Sequence, residues 1–171
     1  MKKLQDVRTL TTAALLVAIG IVLSLYKIPL SETIQIYFTC IPLAISGFLF
    51  GPAVGLCTGI LIDLGGFLVR PTGPFFPGFT IVAGLNGLIY GLFLYKKEGT
   101  LLQIGIAQAI QTIFSSWIGN TINLMIMYGM PFFPLLMSRI PKEMIMYPIY
   151  TLFIVVAIRA ILRIKGKGYF E

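Results

Sequence analysis

The sequence predicts an all-α integral membrane protein, a six-transmembrane-helix bundle that forms one domain over residues 1–171. Long apolar runs alternate with short polar or Pro/Gly-rich segments, 57% of the residues are hydrophobic and 11% are charged. The mean hydropathy is +0.93, which indicates lipid as the surrounding solvent. Spans of about 20 residues fill this length and leave no room for a water-soluble domain. A β-barrel is excluded because runs such as residues 11–25 are continuously apolar.

The first predicted span covers residues 9–26 and follows the basic start Met1-Lys2-Lys3. No small-residue cleavage site comes after its apolar stretch, so we expect a retained helix and not a signal peptide. Residues 27–37 contain Pro29 and Glu32. This segment is too polar to cross a bilayer but apolar enough to lie against one. They are predicted to form a lid-like loop.

Five further spans are predicted, at residues 38–50, 52–69, 78–95, 101–128 and 144–162. The second span is short, and Gly51-Pro52 makes a tight turn after it. A Pro/Gly-rich segment, residues 70–77, precedes the fourth span. A last loop with Arg139, Lys142 and Glu143 is predicted to lead into the sixth.

The distribution of Lys and Arg predicts that both termini are cytoplasmic. With that orientation nine cations lie inside and four outside, which agrees with the positive-inside rule. The inside set is Lys2, Lys3, Arg8, Lys96, Lys97, Arg159, Arg163, Lys165 and Lys167. The net charge of +7 then reflects the orientation of the chain in the membrane, and a nucleic-acid partner is not expected.

The four outer cations are Lys27, Arg70, Arg139 and Lys142. Each lies in a loop that also carries aromatic residues or prolines, a mixture that suits the roof of a binding site. Any one of them would serve equally well as an anchor at the level of the lipid headgroups. Taken together, they favour an anionic ligand.

Asp63 is the acidic residue in the middle of a predicted span. A carboxylate in hydrocarbon costs several kcal/mol unless it is paired or wetted, so Asp63 should face the bundle interior or a cavity. It is a candidate ligand-binding residue. The alternative is that it bonds neighbouring helices or caps a broken helix end.

Trp117, Asn120 and Asn123 recur at three-residue intervals, which would place an aromatic ring and two amides along one side of the fifth helix. Such a face could stack and pair with a flat heterocycle, and Asn86 on the fourth span could join it. Trp117 would otherwise be an interfacial anchor. Aromatic walls are predicted from Phe75, Phe76 and Phe79, whose commoner role is packing.

Small residues recur at four-residue spacing in two places. Ala14 and Ala18 form such a pair on the first helix, and Gly51, Gly55 and Gly59 form a series at the third. This spacing predicts close helix contact. Packing within the bundle explains both series, and docking to a partner protein is the rival interpretation.

The sequence gives no sign of an enzyme. It has no histidine, no phosphate-binding loop motif and no Gly-x-Ser-x-Gly elbow. Cys40 and Cys57 both fall in predicted spans and are too few for an ordinary zinc site. No metal and no cofactor are therefore expected.

Several segments carry a resemblance to a known family. They are Ile41-Pro42-Leu43 with Gly47-Phe48-Leu49-Phe50-Gly51-Pro52, Asp63-Leu64 with Gly66, Phe75-Phe76-Pro77-Gly78-Phe79-Thr80, Gly87-Leu88-Ile89-Tyr90-Gly91, and Pro141-Lys142-Glu143. In this order, on a chain of six spans with basic ends, they resemble the substrate-binding S components of energy-coupling factor vitamin transporters, in the folate-specific branch.

The resemblance implies a multi-pass protein of the prokaryotic plasma membrane that captures folate outside. It implies partners as well, a transmembrane coupling protein and two ATPase subunits that supply the energy for delivery inward. In that family an Ala-x-x-x-Ala motif on the first helix docks to the coupling protein, and it maps here onto Ala14 and Ala18.

Folate suits the candidate residues, since its pterin is a flat hydrogen-bonding ring and its glutamate end carries two carboxylates. The ring-binding candidates are Phe79, Asn86, Trp117, Asn120 and Asn123. Arg70, with Lys27 in reserve, would bind the carboxylates or, through its planar guanidinium, the edge of the pterin.

Three alternatives remain open. The chain could be an S component for another vitamin, such as pantothenate or thiamine. It could be a self-sufficient secondary transporter, although no inverted repeat of broken spans is evident. It could also be a structural or assembly subunit that binds no ligand.

Overall fold

Helices form nearly all of the described part of this computed structural model, which comprises residues 7–26, 28–29, 35–36, 38–71 and 73–165. The helices are α1 (Val7–Leu25), α2 (Cys40–Phe50), α3 (Pro52–Val69), α4 (Pro77–Leu94), α5 (Leu101–Gln111), α6 (Asn120–Tyr128) and α7 (Phe132–Lys165). A π-helical segment, Thr112–Gly119, joins α5 to α6 without a break. Two-residue strands, β1 (Ile28–Pro29) and β2 (Gln35–Ile36), pair antiparallel.

Five helical runs among the described residues are long and apolar enough to cross a membrane. They are Val7–Leu25, Pro52–Val69, Pro77–Leu94, Leu101–Tyr128 and Phe132–Arg163. The sixth predicted span corresponds to α2, which has 11 residues and is too short by itself. The all-helical bundle is confirmed, while the count of six crossings stays a prediction. Most of the predicted lid, residues 27–37, lies outside the described residues.

The helix boundaries follow local sequence signals. Gly51 has a φ of 96°, a backbone conformation that a glycine adopts without strain, and Pro52 then starts α3. Thr100 caps α5, where its hydroxyl accepts from the Gln103 N–H at 3.4 Å while the Gln103 side chain accepts from the Thr100 N–H at 3.3 Å. Gly129, at a φ of 65°, ends α6.

The predicted loop at Arg139, Lys142 and Glu143 is wrong, because all three residues lie within α7. This helix begins at Phe132 and continues through Pro141 and Pro148. Proline lacks an N–H and normally ends a helix in water. In a bundle within lipid, neighbouring helices and local adjustments satisfy the freed carbonyls, so the helix can continue.

The third and fourth helices pack backbone to backbone. A side-chain carbon at Gly55 would clash with the Gly87 carbonyl, and one at Gly59 would clash with the Ala83 carbonyl. The prediction that these glycines serve packing within the bundle is confirmed. By contrast, Ala14 and Ala18 on α1 are exposed.

The apolar core lies toward one end of the bundle, where α2, α4, α5 and α7 meet. Its most buried members include Phe48, Tyr90, Leu94, Ile104 and Ile158. Tyr90 also lines a cavity toward the other end of the bundle. The packed core is therefore the floor of that cavity.

Candidate functional site

A cavity of about 590 Å³ is lined by residues of α1 to α7, of the π-helical segment and of the segment between α3 and α4. Ligand pockets in proteins commonly have volumes of about 300–1,000 Å³, so a vitamin-sized molecule fits. Its lining combines acidic, basic, amide and aromatic side chains. The polar and charged lining residues include Asp63, Arg70, Asn86, Gln108, Gln111, Ser116, Asn120, Arg139, Lys142 and Glu143.

On the α3 side of the cavity, Asp63 is held by a neighbouring helix. The Thr80 hydroxyl of α4 donates to Asp63 Oδ2 at 2.7 Å. Arg70, at the end of α3, is exposed and donates from Nη1 to the Leu25 carbonyl at 3.3 Å. Among the described residues, no cation lies within ion-pair distance of Asp63.

Aromatic rings surround this side. Phe76 and Phe79 meet edge to face with centroids 6.0 Å apart. Phe67 and Phe75 pack at 5.1 Å with a tilt of 58° between the rings. All four line the cavity, so the Asp63 carboxylate borders a largely aromatic wall.

The floor of the cavity is a chain of hydrogen bonds. Tyr90, whose side chain is 0% exposed, donates its hydroxyl to Gln108 Oε1 at 2.5 Å. Gln108 Nε2 donates in turn to Gln111 Oε1 at 3.3 Å. On the adjoining wall the Ser115 hydroxyl donates to Asn86 Oδ1. These bonds satisfy polar groups that would be costly to bury alone.

The α7 side carries two cations and one carboxylate. Glu143 is 6% exposed, and its Oε1 accepts from Ser116 Oγ at 2.6 Å and lies 3.4 Å from Lys142 Nζ. Arg139 donates from Nη1 to the Ser116 carbonyl at 3.1 Å. Both the hydroxyl and the carbonyl of Ser116 are thus hydrogen-bonded to side chains of α7.

Six of the residues predicted from sequence line this cavity together: Asp63, Arg70, Phe75, Phe79, Asn86 and Asn120. The alanine pair predicted for docking is remote from it, on α1. Lys27, the reserve cation, lies outside the described residues.

Trp117, Asn120 and Asn123, which the sequence predicts on one helix face, do not line one hollow together. Trp117 lines a separate hollow of about 230 Å³ with Thr112 and Tyr147. Asn123 is buried, and its side chain lies where a carbon on Gly78 would sit. The three-residue spacing assumed an α-helix, but Trp117 lies in the π-helical segment, where the angle per residue differs.

Neither Ser116 nor Glu143 was predicted as a site residue from the sequence, and Arg139 and Lys142 were predicted to lie in a loop. A signal was available, since residues 139–143 hold three charges between apolar segments. Charges at such positions within a membrane helix face the bundle interior or a cavity. The prolines at 131, 134 and 141 concealed this, because they indicated a loop.

The fold and the site define a membrane-embedded protein that binds a small polar molecule. Residues 8–164 match the family model described as "ECF transporter, substrate-specific component". The chain belongs to this family of energy-coupling factor transporter components, as its sequence motifs indicated.

Two similar proteins of known name are transporters. The chain is 33% identical over 151 residues to the folate transporter FolT of Clostridium novyi (strain NT), covering 88% of each protein. It is 27% identical over 135 residues to the riboflavin transporter RibU of Staphylococcus aureus (strain TCH60), covering 75% of this chain and 71% of that protein.

A solved structure of similar fold is described as the crystal structure of FolT bound with folic acid. It matches with a TM-score of 0.83 and 30% identity, covering 96% of this chain and 98% of that one.

Proposed function

We propose that this protein is the folate-binding subunit of an energy-coupling factor transporter in the plasma membrane of a prokaryote. The observation that carries the proposal is the 590 Å³ cavity, which joins an aromatic wall with a carboxylate to a wall with two cations. Folate has matching parts, a flat ring with N–H donors and a tail with two carboxylates. The folic-acid-bound structure of the same fold supports the choice.

The site residues that we propose from the sequence are Arg70, Phe75, Phe79, Asn86, Asn120 and Asp63, because they share the cavity. Lys27, which lies outside the described residues, remains a proposal from the sequence. Trp117 and Asn123 have a weaker claim, since Trp117 lines the smaller hollow and Asn123 is buried against Gly78.

We infer that the cavity opens outward and that both termini are cytoplasmic. The segment between α3 and α4 and the end of α6 border the cavity, and the predicted orientation places both outside, opposite the nine cations predicted to be cytoplasmic. With α2 counted as a short sixth crossing, the positive-inside rule is satisfied.

Release to the cytoplasm requires partners in this proposal, a transmembrane coupling protein and two ATPases. The chain contributes binding and no catalysis. The exposed pair Ala14 and Ala18 gives α1 a flat surface on which a partner helix can pack closely.

A second candidate ligand is riboflavin, because RibU is among the relatives. Riboflavin is also a flat heterocycle, but it has no carboxylates to pair with Arg139 or Lys142. The charge of the cavity therefore favours folate.

The test is calorimetry on the purified protein with folate, riboflavin, thiamine and pantothenate. We expect saturable binding of folate and much weaker binding of the other three. If riboflavin, thiamine or pantothenate binds more tightly than folate, that vitamin is the ligand and the folate assignment is wrong. A protein that binds none of them and co-purifies with no coupling partner would fit an assembly subunit.

A further inference from the structure

A second, smaller hollow lies between the π-helical segment and α7. Its volume is about 230 Å³. Glu143 lines both this hollow and the large cavity, so the two are neighbours that share one carboxylate. The proposed function makes no use of the smaller hollow. Its lining includes Ala109, Thr112, Ile113, Trp117, Glu143 and Met144.

Two polar atoms in this lining lack a hydrogen-bond partner. The Thr112 hydroxyl and the Trp117 indole N–H are buried, and neither bonds to any group in the described part of the chain. Thr112 as a whole is 5% exposed. Buried polar groups in native proteins are nearly always paired, so these two atoms indicate an occupant that supplies their partner. Tyr147, on the same wall as Glu143, already donates its hydroxyl to the Gly105 carbonyl at 3.0 Å.

The donors and acceptors of the hollow define the polar end of the occupant. An indole N–H can only donate, so its partner must accept a hydrogen bond. The Glu143 carboxylate accepts, so its partner must donate. A hydroxyl group does both. A second carboxylate is disfavoured beside Glu143, because like charges repel strongly where little water screens them. The polar end is therefore an uncharged hydroxyl.

The rest of the lining defines the apolar end. The side chains of Ala109, Ile113 and Met144 offer water little to bond to. Since a dry cavity of about 150 Å³ holds benzene, a hollow of this size accommodates a chain of roughly six to eight carbons. Ile113 is 41% exposed and Met144 is 69% exposed, both in helical runs long and apolar enough to cross a membrane. The hollow is thus reached from the lipid side.

We propose that the smaller hollow binds an uncharged amphiphile of the bilayer through its hydroxyl group, such as a long-chain alcohol or an acylglycerol. The hydroxyl oxygen accepts from Trp117 and Thr112 and donates its proton to a hydrogen bond with Glu143. The hydrocarbon chain lies along Ile113 and Met144. This lipid site is separate from the large cavity and does not rest on the proposed function.

The one tryptophan of the chain is the probe for the test. Protein labelled with ¹⁵N in its indole and held in phosphatidylcholine nanodiscs gives a single indole N–H resonance, that of Trp117. 1-Hexanol, hexane and hexanoate are titrated against it. We expect 1-hexanol to cause a saturable downfield shift, the mark of a new hydrogen bond, and hexane to cause none. Hexanoate should bind at least about tenfold more weakly than 1-hexanol, because of the repulsion by Glu143.

Three variants separate the contacts. Thr112→Val keeps the shape of the side chain and removes its hydroxyl, so the affinity for 1-hexanol should fall about fivefold, as for the loss of one neutral hydrogen bond. Thr11→Val is the matched control, because Thr11 is exposed on α1 and bonds to its own helix. Glu143→Gln removes the repelling charge and should bring the affinity for hexanoate close to that for 1-hexanol.

Several results would overturn the lipid site. A shift that does not saturate, or an equal shift with hexane, would show partition into the bilayer. No shift with 1-hexanol would also overturn the site, and rapid exchange of the indole N–H in D₂O would then identify water as the occupant. Hexanoate binding as tightly as 1-hexanol to the wild type would contradict the uncharged head.

The Thr112 contact has its own test of failure. Equal affinities of Thr112→Val and the wild type for 1-hexanol would refute it. Should Thr112→Val fail to fold, Thr112→Ala takes its place. Thr112→Ser keeps the hydroxyl and should retain the wild-type affinity, which separates the loss of the hydrogen bond from a disturbance of packing.

Discussion

The Ser116 hydroxyl donates to the buried Glu143 carboxylate at 2.6 Å and thereby joins the π-helical segment to α7. Ser116→Ala removes this donor and leaves Glu143 less well satisfied. We expect the free energy of unfolding to fall by about 1–3 kcal/mol, the cost of an unsatisfied buried polar group. Thermal unfolding in detergent measures it. Ser138→Ala, at an exposed serine bonded to its own helix, is the control and should have little effect.

Tyr90→Phe tests the floor of the cavity. The substitution keeps the ring but leaves Gln108 Oε1 without its 2.5 Å donor in a fully buried position. A loss of about 1–3 kcal/mol in stability is expected. Tyr26→Phe, at a tyrosine that is 69% exposed, should leave the unfolding midpoint unchanged. Equal midpoints for Tyr90→Phe and the wild type would show that the buried bond contributes nothing.

The contact between α3 and α4 is tested by Gly87→Ala. The added carbon would clash with the backbone of Gly55, and neither backbone can move without disturbing its helix. Overpacking of this kind typically costs about 1–3 kcal/mol, so a lower unfolding midpoint is expected. Gly73→Ala is the matched control, because its nearest neighbour would lie at 3.8 Å. A wild-type midpoint for Gly87→Ala would argue against the close packing.

Phe79→Ala and Trp117→Ala compare two rings for folate binding. Phe79 lines the large cavity, whereas Trp117 lines the smaller hollow. We expect Phe79→Ala to weaken folate binding by at least about fivefold, since an aromatic pair contributes about 1 kcal/mol beyond burial. Trp117→Ala should leave the calorimetric affinity nearly unchanged. The reverse ranking would restore Trp117 as the stacking residue.

Ala14→Trp combined with Ala18→Trp tests partner docking. Two indole rings on the exposed face of α1 would prevent close approach of a partner helix without reaching the cavity. Folate uptake by proteoliposomes with the complete transporter should be lost, while folate binding by the purified subunit persists. Ile145→Trp, at a residue of α7 that is 63% exposed, is the control and should keep uptake. Uptake by the double variant would refute the docking surface.

The bundle was predictable because its signals are local. Apolar runs bounded by Gly51-Pro52 and by the capping residue Thr100 fix where α3 and α5 begin. Asp63 was predictable as a cavity residue, since an acidic side chain in hydrocarbon needs an interior environment.

Other features depended on tertiary structure. Pro141 predicted a loop, but it lies inside α7 because the surrounding bundle compensates for its missing N–H. Trp117 lies in the π-helical segment and lines a different hollow from Asn120, and no local pattern of residues indicated that segment. Ser116 lies in that segment and Glu143 in α7, so their hydrogen bond joins residues 27 positions apart.

The glycine contact between α3 and α4 has a mechanical consequence. Two helices whose main chains touch at Gly55 and Gly87 cannot slide past each other without collision, so they move as one rigid hairpin. The opposing helix is held to the π-helical segment by long polar side chains, which can exchange partners as they move. We therefore expect α3 and α4 to keep their mutual packing when a ligand enters or leaves, whichever of the other cavity-lining elements is displaced.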